Sequence, residues 1–268
     1  MRELSSSENQ VVKQTARLLV NGAYRKQKGL AVLEGFKLVG DAVGAGAQVA
    51  WIIFSQDAYE SPSARDLVSN ADPRKVFVVP DRIVKKLSSA VTPQGVVAVV
   101  AAPRTELLDC RDELTRLVAL DGVQDPGNCG TLIRGAAAFG FGVVVLPGTV
   151  DPYSPKVLRA SMGGLYRTPV YWCYSAQDLL DFADRRGLTV WMAHNKGGIP
   201  VDQAEIEDHV VLVLGSEGQG HVGLSPELHS EIKRIWVPME RHVESLNVAM
   251  AGTILMYECY RRRKAWRC

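Results

Sequence analysis

Short, uninterrupted apolar runs alternate with amphipathic stretches along most of the chain, a pattern that predicts an α/β protein. In the first part, residues 9–28 carry apolar positions at helical spacing. The run LAVLEG (30–35) then reads as a strand ending in a turn, and FKLVGDAVGAG (36–46) as a helix. WIIFS (51–55), KVFVVP (75–80) and GVVAVVAAP (95–103) predict further strands, with helices at 62–70 and 81–89 between them. The last strand ends at Pro103, and the charged segment RTELLDCRDEL (104–114) reads as a linker.

The alternation then restarts. RLVALDGV (116–123), VVVLPG (143–148), TPVYWCY (168–174), TVWMAH (189–194), VVLVLG (210–215) and IWVPM (235–239) are predicted strands. Helices are expected at 129–139, 155–163 and 176–187, from Pro226 behind a Ser225 cap, and from near Ser245 to the C-terminal region. Strands that read as continuous Val/Ile/Leu runs are buried on both faces, so this part should be a mostly parallel sheet covered by helices. The expected organisation is a domain over 1–103, a linker over 104–114 and a second domain over 115–268. Ligands of such sheets bind beyond the carboxyl ends of the strands. Three loops fall there: QDPGNCG (124–130), GSEGQG (215–220) and MERHVESLN (239–247).

Composition changes this picture little: 47% hydrophobic and 22% charged residues describe an ordinary globular protein. No run approaches the roughly 20 apolar residues of a membrane span. The polar start MRELSSSENQVVKQ lacks the apolar centre of an export signal, so a cytoplasmic protein is expected. The cysteines (110, 129, 173, 259, 268) form no CxxC pair, and His194, His209, His221, His229 and His242 show no metal-ligand spacing. No protein-bound metal is expected. The charge of +2 is unevenly divided: residues 1–103 hold 13 Lys and Arg against 9 Asp and Glu, and residues 104–268 hold 18 against 20. The basic excess of the first part suggests contact with a polyanion, through Arg25, Lys26 and Lys28 in one run and Lys85 and Lys86 in another. Solvated surface is the plainer reading of the same lysines.

The glycines of GSEGQG do not follow the GxGxxG order of a dinucleotide fingerprint and come late in the chain, which disfavours an oxidoreductase. They suit close approach of backbone to a flat ligand, or a structural turn. Within DPGNCGTLIRG, Asn128 is placed to cap a helix that carries Arg134 among small residues. A guanidinium there calls for a carboxylate or a phosphate, so a salt bridge and an anion site are both open. Ser245 and Asn247 stand at the mouth of an apolar helix, where capping alone would account for Ser245.

Together the three segments resemble the SpoU family of RNA 2′-O-ribose methyltransferases, related to the TrmH type. Asn128, Gly130 and Arg134 match its first motif, LGSEGQG with Glu217 its second, and VPM followed by SLNVA its third. EGFKLVGDAV (34–43) and PQGVVAVV (93–100) resemble the family's accessory RNA-binding domain. The resemblance implies a trefoil-knotted catalytic fold, a homodimer, and S-adenosylmethionine held by the backbone around Gly215, Gly220, Val237, Met239 and Leu246. It also implies a catalytic set of Asn128, Arg134, Glu217, Ser245 and Asn247. Ribosomal RNA is the expected substrate, by analogy with the accessory domain. A transfer RNA substrate, or an RNA-binding protein without catalysis, are the alternatives.

Overall fold

The computed structural model describes residues 2–69, 71–88, 90, 92–216 and 232–262. In chain order its elements are β1 (Arg2–Glu3), α1 (Gln10–Val20), α2 (Gly22–Lys28), β2 (Leu30–Glu34), α3 (Phe36–Gly44), β3 (Val49–Ser55), α4 (Gln56–Tyr59), α5 (Pro62–Ser69), β4 (Val76–Val79), α6 (Asp81–Lys86) and β5 (Val96–Ala101). There follow β6 (Thr105–Glu106), β7 (Arg116–Asp121), α7 (Pro126–Phe139), β8 (Gly142–Val145), α8 (Pro155–Ser161), β9 (Val170–Trp172) and α9 (Ala176–Arg186). The chain continues with β10 (Thr189–Ala193), β11 (Ile199–Pro200), β12 (Val210–Gly215), β13 (Lys233–Trp236) and α10 (Val248–Arg261). The chain divides into two compact units: Met1–Pro103 with Asp151–Tyr166, and Arg104–Val150 with Arg167–Cys268.

The first unit is built on a five-stranded mixed sheet in the order β1-β4-β3-β5-β2, with β5 antiparallel to both its neighbours. Val32, Ile53, Phe77, Val97 and Val99 join Val12, Leu18, Ile83 and Val84 of the flanking helices in one apolar core. The helical spacing over 9–28 is broken at Asn21, whose extended backbone ends α1 and whose side chain accepts from Tyr24 N at 2.8 Å, capping α2. Asp151–Tyr166, expected within the second domain, packs here instead. Asp151 forms a buried ion pair with Arg25, and Tyr153 Oη donates to Pro103 O at 3.0 Å.

The second unit is an all-parallel eight-stranded sheet in the order β11-β13-β10-β12-β7-β8-β9-β6. Its central strands β7 and β12 are buried along nearly their whole length, as their unbroken apolar runs require. Leu117 and Ala119 of β7 with Val211 and Val213 of β12 share a core with Leu179, Phe182 and Ala183 of α9. The alternate residues face the other way by the two-residue period, and there Leu214 meets α7 and α10 around Gly252. Where a linker is expected at 104–114, β6 pairs with β9 at the sheet edge and Leu107 is fully buried. The alternation of charges hid an edge strand too short to show a period. The helix expected from Pro226 lies outside the described residues.

Candidate cofactor and catalytic site

The site grows from the carboxyl ends of β7 and β12, which stop in register with Asp121 beside Gly215. After β7 the chain turns at Gly122, whose φ is +71 and whose N–H donates to Thr149 Oγ1 at 3.1 Å. Asp125 then caps α7, accepting from Asn128 N at 2.8 Å, with Pro126 in the first turn. Asn128 therefore is not the cap expected of it. It lies inside the first turn, which leaves its side chain available for a distant partner.

That partner is Asn247. Its Oδ1 accepts from Ala249 N at 3.0 Å and Met250 N at 3.3 Å, capping α10, while its Nδ2 donates to Asn128 Oδ1 at 2.9 Å. The long apolar helix thus begins at Val248, with Asn247 and not Ser245 as its cap; Ser245 is exposed just upstream. α10 and α7 approach closely because Gly252 lies against Leu132 and Gly135 against Met256. The two helices hold the first and third motifs together.

Val237, Met239 and Leu246 line one small cavity, about 20 Å³, with Ile235, Ala251 and Leu255. The main-chain N–H groups of Val237, Met239 and Leu246 donate no hydrogen bond among the described residues. Groups of that kind fit a ligand held through backbone contacts, as S-adenosylmethionine would be. The space suffices for about one water. Ala193, the last residue of β10, and His194 and Asn195 after it form a further wall. These three were missed in the sequence, although TVWMAH ends at a strand's carboxyl end, the very position that singled out the other three loops.

The remaining candidates divide clearly. Glu217 and Gly220 lie outside the described residues. Arg134 is exposed and has no ion pair among the described residues. It follows Asn128 on α7 by six residues, which at 3.6 residues per turn sets the two side chains about 120° apart around the helix axis. Arg25 is buried at 7% exposure: its Nε donates to Asp151 Oδ2 at 3.0 Å and its Nη1 to Leu18 O at 2.8 Å. That guanidinium holds the first unit together and does not face a polyanion, a correction to its expected role. Lys26, Lys28, Lys85 and Lys86 are exposed. Among the described residues no cluster of His, Cys, Asp and Glu suits a metal ion, and no helix is long and apolar enough to cross a membrane.

Known proteins resemble this chain along nearly its whole length. The chain is 32% identical to an uncharacterized tRNA/rRNA methyltransferase of Synechocystis sp., over 98% of this chain and 94% of that one. It is 30% identical to the 23S rRNA (guanosine(2553)-2′-O)-methyltransferase RlmP of Bacillus subtilis, over 96% and 98%. Among solved structures, the AdoMet-bound rRNA methyltransferase from Sinorhizobium meliloti superposes with a TM-score of 0.83 at 28% identity, covering 98% of each chain. The SpoU methyltransferase AviRb from Streptomyces viridochromogenes, in complex with AdoMet, gives 0.83 at 26% identity, over 97% of this chain and 100% of that one. Residues 9–98 match the MRM3-like substrate binding domain. Residues 115–257 match the SpoU rRNA Methylase family, and the chain belongs to that family.

Proposed function

We infer that this protein methylates a ribose 2′-hydroxyl of ribosomal RNA, with S-adenosylmethionine as donor. The observation that carries the reading is the bond between Asn247 and Asn128, which joins the first and third motifs next to the cavity lined by Leu246. Bound there, S-adenosylmethionine supplies a methyl on a sulfonium, already activated for in-line displacement. What remains for the protein is to align the hydroxyl and remove its proton. Asn128 and Asn247 have each other's orientation fixed and so present a defined polar edge. Ser245 and Glu217 complete the set in this reading, with Glu217 the group able to accept the proton. Arg134 stays protonated at any working pH, so its part is to bind RNA phosphate and stabilise negative charge developing on the oxygen.

The reading includes a homodimer. Met250 (58% exposed) and Tyr257 (48%) stand a heptad apart on α10, and Tyr257 packs edge-on against Phe139 of α7 at 5.8 Å. An exposed apolar strip on two packed helices suits burial against a second copy. Arg134, turned away from Asn128, would then serve the partner's site. The first unit binds RNA through Lys26, Lys28, Lys85 and Lys86, mostly at phosphate. The reading also places the protein in the cytoplasm and gives its catalytic domain the knotted topology of its family.

Two measurements test this. S-adenosylhomocysteine should bind in titration calorimetry while NAD does not. Mapping 2′-O-methyl sites in RNA from cells with and without the gene should show one missing mark in ribosomal RNA. A missing mark in transfer RNA would establish the alternative substrate, and no missing mark would defeat the reading.

A further inference from the structure

The segment HNKGG (194–198) follows β10 and belongs to none of the three motif loops. One residue of β13 fixes its backbone at both ends. Ala193 of β10 and Ile199 of β11 both pair with Ile235, and His194 N donates to Ile235 O at 2.8 Å. Between those anchors Gly197 and Gly198 each take φ +90, and a Cβ on Gly198 would meet both the Cβ and the carbonyl oxygen of Arg234 at 2.5 Å. Only glycine closes the turn so tightly. The turn sets Lys196 O 2.9 Å from His194 Nδ1, within hydrogen-bond distance.

A carbonyl oxygen only accepts, so the hydrogen of this bond is on Nδ1. In the neutral ring Nε2 then carries none and is an acceptor whose direction the bond on the other side of the ring fixes. It has no partner among the described residues. The fold makes no use of that nitrogen, since strand pairing and two glycines already hold the turn. His194 is exposed, yet it lines the cavity that fits the cofactor, whose other walls include the apolar Ile235, Val237, Leu246, Ala251 and Leu255. The unpartnered main-chain N–H groups of Val237, Met239 and Leu246 are donors only. His194 adds an acceptor at the rim.

We propose that His194 Nε2 accepts a hydrogen bond from a ribose hydroxyl of S-adenosylmethionine and so selects a cofactor that carries that hydroxyl. The proposal rests on the cofactor reading of this cavity and adds a side-chain contact to the backbone ones. S-adenosylmethionine offers hydrogen-bond donors in its adenine amino group, its ribose hydroxyls and its ammonium. The flat base suits the apolar wall, and the sugar suits the exposed rim. The ammonium is disfavoured there by the charge of Lys196, exposed two residues on. A polar group built to meet a hydroxyl rejects the analogue that lacks it, because its own bond is then left unmade.

The test titrates the full chain calorimetrically with S-adenosylhomocysteine and with its 2′-deoxy and 3′-deoxy analogues. Wild type should bind one of the two analogues about tenfold more weakly than the parent. His194→Phe keeps a ring and removes both nitrogens; it should lose about tenfold for the parent and show no further loss with that analogue, the coupling expected of a direct contact. His194→Gln, which offers an amide oxygen as acceptor, should recover most of the parent's affinity. Because the residue is exposed, both variants should melt with wild type in the absence of ligand. Equal binding of all three ligands by wild type, or a deoxy penalty undiminished in His194→Phe, overturns the proposal and leaves the cofactor reading intact. A wild type that binds none of them defeats the cofactor reading and this contact with it.

Discussion

The side-chain amide of Asn247 donates to Asn128 Oδ1 at 2.9 Å across 119 residues of chain. The bond also fixes which way both amides point, because Asn247 Oδ1 is held by the backbone N–H groups of Ala249 and Met250. Asn247→Asp keeps an acceptor for the cap and loses the donor. We expect it to lower methylation more than stability, whereas Asn247→Ala loses cap and tie together and costs about 1–2 kcal/mol. Denaturant midpoints and single-turnover rates on both variants separate the two roles.

Gly252 lets α10 lie against α7 and β12. An added Cβ would meet Leu132 Cδ2 and Leu214 Cδ1, both at 2.5 Å. Gly252→Ala should therefore destabilise the second unit by about 1–3 kcal/mol through overpacking. The neighbouring Ala251 lines the cavity, so S-adenosylhomocysteine affinity should fall in the same variant; calorimetric affinity equal to wild type would show that the helix shift does not reach the pocket.

Removing the Arg25 guanidinium leaves Asp151 without its ion-pair partner in a largely buried setting. Arg25→Ala is expected to cost about 3–5 kcal/mol, the usual consequence of breaking a buried pair. Lys85→Ala with Lys86→Ala should instead leave the thermal midpoint alone and flatten the fall of RNA affinity with salt. The opposite pattern would return Arg25 to the RNA surface.

Cys110, Cys129, Cys173 and Cys259 are reduced and buried. Burial pushes Cys173 up to about 11 and Cys259 up to about 12. A thiol raised in this way adds stability that is fully present below its ordinary value near 9 and is lost as pH climbs through 11 to 12. Native protein carrying Cys268→Ser should then react with Ellman's reagent at pH 8 only after denaturant is added, and its thermal midpoint should decline above about pH 9. Rapid labelling of the native variant would show an accessible thiolate.

Much of this molecule was legible along the chain. The unbroken apolar runs marked β7, β8 and β12 because strands covered on both faces have no polar side to interrupt them. The loop after β7 and the segment before α10 were expected at one edge of the sheet, since parallel strands deliver their ends there, while most of GSEGQG lies outside the described residues. Asn21, by contrast, interrupts a helical period that continues on both sides of it, and only the backbone reveals the break.

Local pattern determined which segments become strands and helices; packing between distant segments decided what the polar residues do. Arg25 and Arg134 have the same charge and both sit on helices, yet one is sealed against Asp151 and the other faces solvent. Nothing within a few residues of either encodes that difference, because the cost of burying a guanidinium depends on whether a partner from far along the chain arrives to offset it. The tie between Asn247 and Asn128 has the same origin: each asparagine alone reads as a helix-start residue, and only the meeting of α7 with α10, permitted by Gly135 and Gly252, joins the pair through a hydrogen bond.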